Sequence, residues 1–425
     1  MTGTAPMPVL ASLARDFEQR RPLAGRKVAA ALNVTGEAAR LVRVLRAGGA
    51  DVVVVSSKST TFDPAAGREM AALGTRVLDT PLQESDSGVR EVLDFGPDLV
   101  VDNGELALLW SRTGGAPAVL GGTAHSQNAV KKVTAAGGAL PFPLFSVASA
   151  ALKSAVETAH GTGQAALLGV LDAGVQLAGK SVLVVGYGVT GRAVADYARG
   201  CHCRVEVAEV SPVAALRAVY AGHRLVPLDS ALPAADVVIT VTDGRGVLPL
   251  ERLRALKDGA VVGGIGHSPE EIDRSALATA ATARTTAPGR VEYVLDGKRL
   301  TLLEGPGGNH VYAGINPPEM MDISLALHAL CLTHLAERPG AASTSASAPE
   351  RDPLPARLLP VPGEVEAEVA RRKLAALGHD WPPAPDRAAS KPDPSTDART
   401  GPSTDATPVS TPTSESTSPS DREAS

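Results

Sequence analysis

Six residues near the middle of the chain, Gly186-Tyr187-Gly188-Val189-Thr190-Gly191, have the types and spacing to receive a phosphate group. An apolar run, Val182 to Val185, leads into them. A helical pattern leads out, followed by a second apolar run that stops at Glu209. In that setting Gly186 permits a tight turn, Gly188 lets backbone N–H groups approach a pyrophosphate, and Gly191 lets helix and strand pack closely. The helix opening at Val189 turns its positive end toward the phosphates. Glu209 lies about 20 residues beyond the turn, where a carboxylate accepts the hydroxyls of an adenosine ribose. It also repels a 2′-phosphate, and no arginine follows directly, so the pattern selects NAD over NADP. A second chemical pair, Lys153 and Glu157, stands at i and i+4 in a helical stretch. That spacing puts ammonium and carboxylate on one face as a coupled pair. An exposed ion pair has the same spacing, but here a Gly-Thr-Gly-Gln run begins at Gly161.

The elements that must position these groups follow an alternating order. Apolar runs at KVAAALNV (from Lys27), DVVVVSS (from Asp51) and DLVVDN (from Asp98) alternate with helical patterns, and their valine content fits strands buried on both faces. A long helical stretch from Ser149 to about Ala178 follows. The glycine unit then continues through ADVVITVTD and DGAVVGGIGH, strands that end in the loops where such sheets bind ligands. Helical periodicity returns over about 322–336. Residues from about 341 to 354 read as a linker, and GEVEAEVARRKLAALGHDW as a short amphipathic helix closing on Gly378. Beyond Trp381 a Pro/Ser/Thr/Asp-rich segment repeats Pro-Ser-Thr-Asp-Ala from Pro394 and Pro402, a composition that cannot offset its ordering entropy.

At 425 residues the chain is long enough for two ordinary domains. Its net charge of −5 argues against a nucleic-acid or anionic-membrane surface. Cys201, Cys203 and Cys331 form no metal-spaced cluster, so no metal is expected, and so low a count fits a reducing cytoplasm. The first residues lack the apolar core of a signal peptide, and no apolar run reaches membrane-spanning length.

Several phrases together carry a resemblance. GKSVLVVGYGVTGRAVADYARG, AEVSPVAALRA, DVVITVTDG, LKDGAVVGGIGHSPEEID and LTLLEGPGGNHVYAGINPPEMM resemble the dinucleotide half and hinge of S-adenosylhomocysteine hydrolases. ALNVTGEAARLVRVLRAGGADVVVVSS and LKSAVETAHGTGQAALLGV resemble that family's substrate half, and LPVPGEVEAEVARRKLAALG its C-terminal lobe. The likeness runs from about Lys27 to Gly378. It implies an α/β fold of two doubly wound domains. Residues 1–170 would form the first part of a substrate domain, 171–308 an inserted Rossmann NAD-binding domain, 309–381 the return and a helical lobe, and 382–425 a disordered tail.

The chemistry it implies is a redox-assisted elimination. NAD removes a hydride from the nucleoside C3′, the ketone acidifies C4′–H, a base takes that proton, and the C5′ group leaves. Water then adds in the hydrolase, and the hydride returns. By resemblance Lys153 takes the 3′-hydroxyl proton, and Glu157 stands where the family usually has an aspartate. Thr35 and Glu37 match substrate-pocket positions, with Glu37 suited to adenine's amino group. His267 matches a histidine at the cofactor mouth, Thr240 and Thr242 a nicotinamide-side loop, Ile265 a cofactor contact, and Asn309 a carboxamide ligand.

Four departures cluster around the leaving group. Asn33 replaces a histidine near the 5′ position. Asn103, in Asp102-Asn103-Gly104-Glu105, replaces a catalytic aspartate. Thr123 replaces a substrate-binding glutamate, and Asn316 the histidine of a Gly-His-Pro-Ser loop. An amide holds a hydrogen bond but moves no proton at neutral pH. His125 and Glu105 are new ionisable groups beside the altered segments. The family's lysine- and tyrosine-bearing tail is missing, so the expected homo-oligomer is a dimer or a tetramer. The favoured reading is a cytoplasmic NAD-dependent enzyme that dehydrates an adenine nucleoside on its 5′ side, as in nucleoside-antibiotic biosynthesis. Hydrolysis of S-adenosylhomocysteine is the alternative, and a silent NAD-binding regulator the third reading.

Overall fold

Short apolar runs separated by helices pair into two sheets. The computed structural model describes residues 6–57, 62–81, 85–113, 119–135, 140–242, 244–266, 268–305, 316–338, 354–379 and 381. Lys27–Leu32 (β1), Asp51–Ser56 (β2), Arg76–Leu78 (β3), Leu99–Asp102 (β4), Gly121–Ala124 (β5) and Leu144–Ser146 (β6) lie parallel in the order β6-β5-β4-β1-β2-β3. Leu358–Pro360 adds a further parallel strand outside β6. Because β1 is flanked by β2 and β4, the strand order reverses there, and a crevice opens at the carboxyl ends of β1 and β4.

The second sheet repeats the arrangement. Ser181–Val185 (β7), Arg204–Ala208 (β8), Arg224–Leu225 (β9), Val237–Thr240 (β10), Ala260–Gly264 (β11), Ala283–Ala287 (β12), Arg290–Leu295 (β13) and Lys298–Leu303 (β14) take the order β12-β13-β14-β11-β10-β7-β8-β9. Its reversal falls between β7 and β10. The strands β12 and β13 extend this sheet antiparallel. Asp296 and Gly297 join β13 to β14 with φ of 50° and 78°, the two-residue turn that fits strand twist.

Alternation along each strand feeds both faces. Val52 and Val54 enter one core while Val53 and Val55 enter another, and Val182 and Val184 oppose Leu183 and Val185 in the second sheet. This two-sided burial explains the continuous valine runs.

Two helical segments join the sheets. After β6 the chain winds as a π-helix over Lys153–Thr162 and continues as the α-helix Gly163–Asp172, ending short of the expected Ala178. After the second sheet, helix Pro318–Ala336 packs against β4 and β5 of the first. It is apolar nearly all round, the mark of a buried helix, yet it buries Asp322, Ser324, His328 and Thr333. Both Asp322 oxygens accept backbone N–H groups of Val9 and Leu10 at 2.9 Å, capping helix Pro8–Arg20. Helix Gly363–Ala376 forms as expected and closes on Gly378 (φ 81°). The sheets and these helices belong to one unit, Met1–Trp381. The linker over 341–353 and the segment Pro382–Ser425 lie outside the described residues.

A Cβ placed on Gly191 would stand 1.9 Å from the Gly186 carbonyl oxygen, so helix and turn touch backbone to backbone. Gly191→Ala is therefore expected to cost ~1–3 kcal/mol of folding free energy, read as a lower urea midpoint. An unchanged midpoint would contradict this packing.

Candidate active site

The glycine turn follows β7, at the reversal point of the second sheet. Gly186 takes φ 101°, a conformation open chiefly to glycine, and a Cβ there would crowd Thr242 and Val241 at 3.1 Å. Gly188 caps helix Val189–Gly200 in ordinary extended geometry (φ −70°), and a Cβ there would meet no protein atom within 4 Å. Space in front of Gly188 suits a ligand that approaches the backbone. The Glu209 carboxylate, at the end of β8, accepts the Tyr187 N–H through Oε2 and the Val210 and Ser211 N–H groups at 2.7 Å through Oε1. It therefore ties the acid to the turn. These residues fit a dinucleotide. Gly186, Gly188 and Gly191 would shape a pyrophosphate cradle, the helix starting at Val189 would supply N–H donors, and Glu209 would lie within reach of a ribose diol.

The threonine loop after β10 is anchored by a residue that sequence reasoning missed. Glu271 is buried; its Oε2 accepts the Thr240 hydroxyl at 3.0 Å, and its Oε1 accepts the Thr242 N–H at 2.6 Å and the Thr242 hydroxyl. Both threonine hydroxyls are thus turned to Glu271, and Thr242 Oγ1 also accepts the Gly244 N–H at 2.9 Å. Ile265 is buried past β11, its N–H bonded to the Thr240 carbonyl at 2.9 Å. A Ser-Pro-Glu-Glu loop carries no signal that would have singled out Glu271. His267 and Asn309 lie outside the described residues.

On the π-helix, Lys153 Nζ stands 3.3 Å from Glu157 Oε1, and the Glu157 side chain has no exposed surface. The bland alternative, an exposed helical ion pair, does not describe this burial. Glu157 Oε2 accepts the Ser324 N–H at 3.0 Å, which joins the π-helix to helix Pro318–Ala336. Runs of π-helix are rare and collect at functional sites. Asn316 joins them from the other end, its amide oxygen accepting the Thr162 hydroxyl at 2.9 Å.

At the carboxyl end of β1 a cavity of about 50 Å³ is lined by Leu32, Asn33, Thr35, Ala38, His125, Met321 and Leu325. Thr35 also caps helix Gly36–Ala47, accepting the Ala38 N–H at 3.4 Å, and Glu37 sits in that helix's first turn, where its charge is favoured. His125 Nδ1 lies 2.9 Å from His328 Nε2, and His328 Nδ1 lies 2.8 Å from Thr123 Oγ1. His328 is fully buried, and that burial, reinforced by the Lys153 charge, pushes its pKa down to about 3. The signal for His328 was an imidazole between apolar neighbours in the stretch Leu325–Leu332 of a mostly apolar helix.

Beside the cavity's strands, Asp102 is buried and caps the helix Leu106–Thr113, accepting the N–H groups of Glu105 and Leu106 at 3.0 Å and of Ala107 at 2.9 Å. Burial raises its pKa against those bonds. The Asn103 amide oxygen accepts the Ser126 hydroxyl at 2.6 Å. Glu105 has one oxygen 3.4 Å from Lys132 Nζ and another buried without a hydrogen-bond partner. Burial first, then the Asp102 charge, lift its pKa to about 7.

A complete dinucleotide turn on one sheet and a lysine paired with a buried glutamate leading away from the other define an NAD-dependent enzyme. The family description "S-adenosyl-L-homocysteine hydrolase, NAD binding domain" matches residues 166–308. An adenosylhomocysteinase of Thermosynechococcus vestitus is 35% identical over 385 residues, covering 88% of this chain and 87% of its own length. An S-inosyl-L-homocysteine hydrolase of Methanopyrus kandleri is 34% identical, covering 88% of each. The chain belongs to the adenosylhomocysteinase family, and NAD is its cofactor. Among the described residues, no helix is long and apolar enough to cross a membrane.

Two measurements probe this geometry. Gly188→Ala should leave the stability of the cofactor-free protein within ~0.5 kcal/mol while NAD affinity falls at least about tenfold, because the added methyl enters only the ligand's space. Equal NAD affinity would remove Gly188 from the cradle. Glu105 is disfavoured when charged, so its stability contribution is full below pH 4.5 and is lost as pH rises through about 7. Glu105→Gln should therefore match the wild type in urea unfolding at pH 4.5 and exceed it by ~1–3 kcal/mol at pH 8. A constant difference at both pH values would reject that burial.

Proposed function

We propose that the enzyme oxidises the 3′-hydroxyl of an adenine nucleoside, eliminates water across C4′ and C5′, and reduces the ketone again, leaving a dehydrated nucleoside. The observation that carries this reading is the pairing of Lys153 with the buried Glu157, kept in a chain that has amides, Asn33, Asn103 and Asn316, where the family resemblance calls for proton-carrying groups. NAD, when bound by the Gly186–Gly191 turn and Glu209, supplies reversible hydride acceptance from a sugar carbon. Lys153 takes the hydroxyl proton during oxidation and returns it during reduction, and Glu157 holds the ammonium in place. The oxidised sugar makes C4′–H acidic enough for a side-chain base. Asn103 and Asn316 hold hydrogen bonds through their amide oxygens and carry no proton. Glu37, at a helix N-terminus, is suited to receive the purine amino group.

A second reading is hydrolysis of S-adenosylhomocysteine, and it is supported by relatives that are adenosylhomocysteinases. The similar protein of Methanopyrus kandleri is named for S-inosyl-L-homocysteine. The NAD-loaded protein incubated with adenosine, S-adenosylhomocysteine and ketose-type adenine nucleosides decides between the two. Absorbance at the NADH band and a product lighter by one water are expected with a nucleoside. Homocysteine release, caught by a thiol reagent at ordinary hydrolase rates, would defeat the dehydratase reading. Lys153→Ala should slow cofactor reduction by ~10²–10⁴-fold with NAD binding kept. Absence of reduction by every nucleoside in the wild type would instead favour a silent NAD-binding protein.

A further inference from the structure

The nicotinamide ring of NAD is a cation when oxidised and neutral when reduced, so a fixed charge near it acts on one form only. Glu209 closes β8, on one side of β7, and is suited to the adenosine ribose. A dinucleotide laid across the reversal between β7 and β10 therefore sends its other half over the carboxyl ends of β10 and β11. Thr240 ends β10, paired with Val185 of β7 and Gly264 of β11. The residues after it touch the glycine turn. A Cβ on Gly186 would stand 3.1 Å from the Val241 carbonyl oxygen and from Thr242 Cγ2, and one on Gly191 3.0 Å from Val241 Cγ2. The segment 240–242 is thus a wall of the crevice on the side away from Glu209. Behind that wall stands Glu271, only 2% exposed. Its main chain is fixed, since its carbonyl accepts the Leu248 N–H at 2.8 Å and the next residue, Ile272, bridges Leu248. Its carboxylate accepts the Thr240 hydroxyl, the Thr242 N–H and the Thr242 hydroxyl. Thr242 Oγ1 accepts the Gly244 N–H as well, so its one proton is the one given to Glu271.

All three donors are uncharged groups. They satisfy the oxygens of Glu271 but leave its negative charge in place, and a buried charge is costly without an opposite one. The oxidised cofactor brings that opposite charge, whereas the reduced cofactor brings none. We propose that the Glu271 carboxylate, acting through the Thr240–Thr242 wall, tilts the site toward oxidised over reduced cofactor as the buried counter-charge of the nicotinamide cation. This role is the same whether the nucleoside loses water or is hydrolysed. In either cycle a hydride is borrowed and must be given back, and a molecule left holding reduced cofactor is idle. A charge that favours the cationic ring favours return of the hydride. The threonines suit such an arrangement because their hydroxyl protons are already committed to Glu271, so they hold the carboxylate in one position.

The test is a competition between the two cofactor forms. Wild type, Glu271→Gln, Glu271→Asp and Glu271→Leu are dialysed to equilibrium against an equimolar excess of NAD and NADH. The bound ratio is then read by NADH absorbance and by mass. Glutamine keeps the wall, because its amide oxygen still accepts from Thr242 and its amide nitrogen donates to the Thr240 hydroxyl, but it removes the charge. Its bound ratio of NAD to NADH should fall on the order of fivefold, the effect of one charge in partly screened surroundings, with total occupancy close to that of the wild type. Leucine removes both charge and hydrogen bonds, so ratio and occupancy should fall together. Aspartate keeps the charge and should keep the wild-type ratio even where its shorter side chain lowers occupancy. Urea midpoints show which variants are folded, and either neutral variant suffices for the comparison. A neutral variant that binds the two forms in the wild-type ratio would overturn the proposal and leave Glu271 as an anchor of the loop alone. An aspartate variant whose ratio falls as far as that of the glutamine one would overturn it too.

Discussion

A carboxylate that water cannot reach organises the centre of this protein. Withdrawing a charge from solvent costs several kcal/mol unless partners replace the water. For Glu157 those partners are the Lys153 ammonium and the backbone N–H of Ser324. The first lies one turn back on the same π-helix, and the second lies on a helix that the chain reaches only after completing the other sheet. Satisfying Glu157 therefore fixes the rotation of helix Pro318–Ala336. Met321 and Leu325 of that helix then line the cavity, and His328 meets His125. Burial, reinforced by the positive charge of Lys153, in turn keeps His328 neutral. Cavity wall and imidazole pair are consequences of one buried carboxylate.

The strands that build the two sheets were legible because parallel strands covered on both faces must be apolar throughout. DVVVVSS and ADVVITVTD leave little else to read. The glycine turn was legible for a similar reason, since each glycine answers a separate steric demand. The antiparallel extension β12–β13 escaped notice, its exposed polar alternation in ARTTA being weak, although Asp296-Gly297 is a hairpin signal. Long-range polar partners were invisible. Nothing local in the sequence says that Thr240 and Thr242 bond Glu271, or that His328 stands between Thr123 and His125. Such pairs are made by topology across more than one element. The π-helical winding at Lys153 is likewise unmarked, because i, i+4 spacing reads the same in either helix.

The amides near the cavity now have a physical description. Asn103 accepts from Ser126, and Asn316 accepts from Thr162 at the end of the π-helix. In both cases a hydroxyl donates to the amide oxygen, which holds a loop in place and exchanges nothing. Asp102, the acid that remains beside Asn103, is engaged by three backbone N–H groups as a helix cap. Glu105 is the buried carboxyl of this region whose charge is neither capped nor fully paired.

Gly163 marks the place where the lysine-bearing segment meets the helix behind the glycine turn. A Cβ there would come within 2.7 Å of the Ala193 carbonyl oxygen. On the proposed function, the segment that would handle a hydroxyl proton and the one that would hold the hydride acceptor are therefore spaced by main chain against main chain. Side chains can hop between rotamers; a backbone contact of this kind has almost no play. Since a misplacement of about 1 Å can slow a reaction a hundredfold, this bare point of touch would act as a fixed gauge, setting how far apart the two halves of the proposed oxidation stand before any substrate arrives.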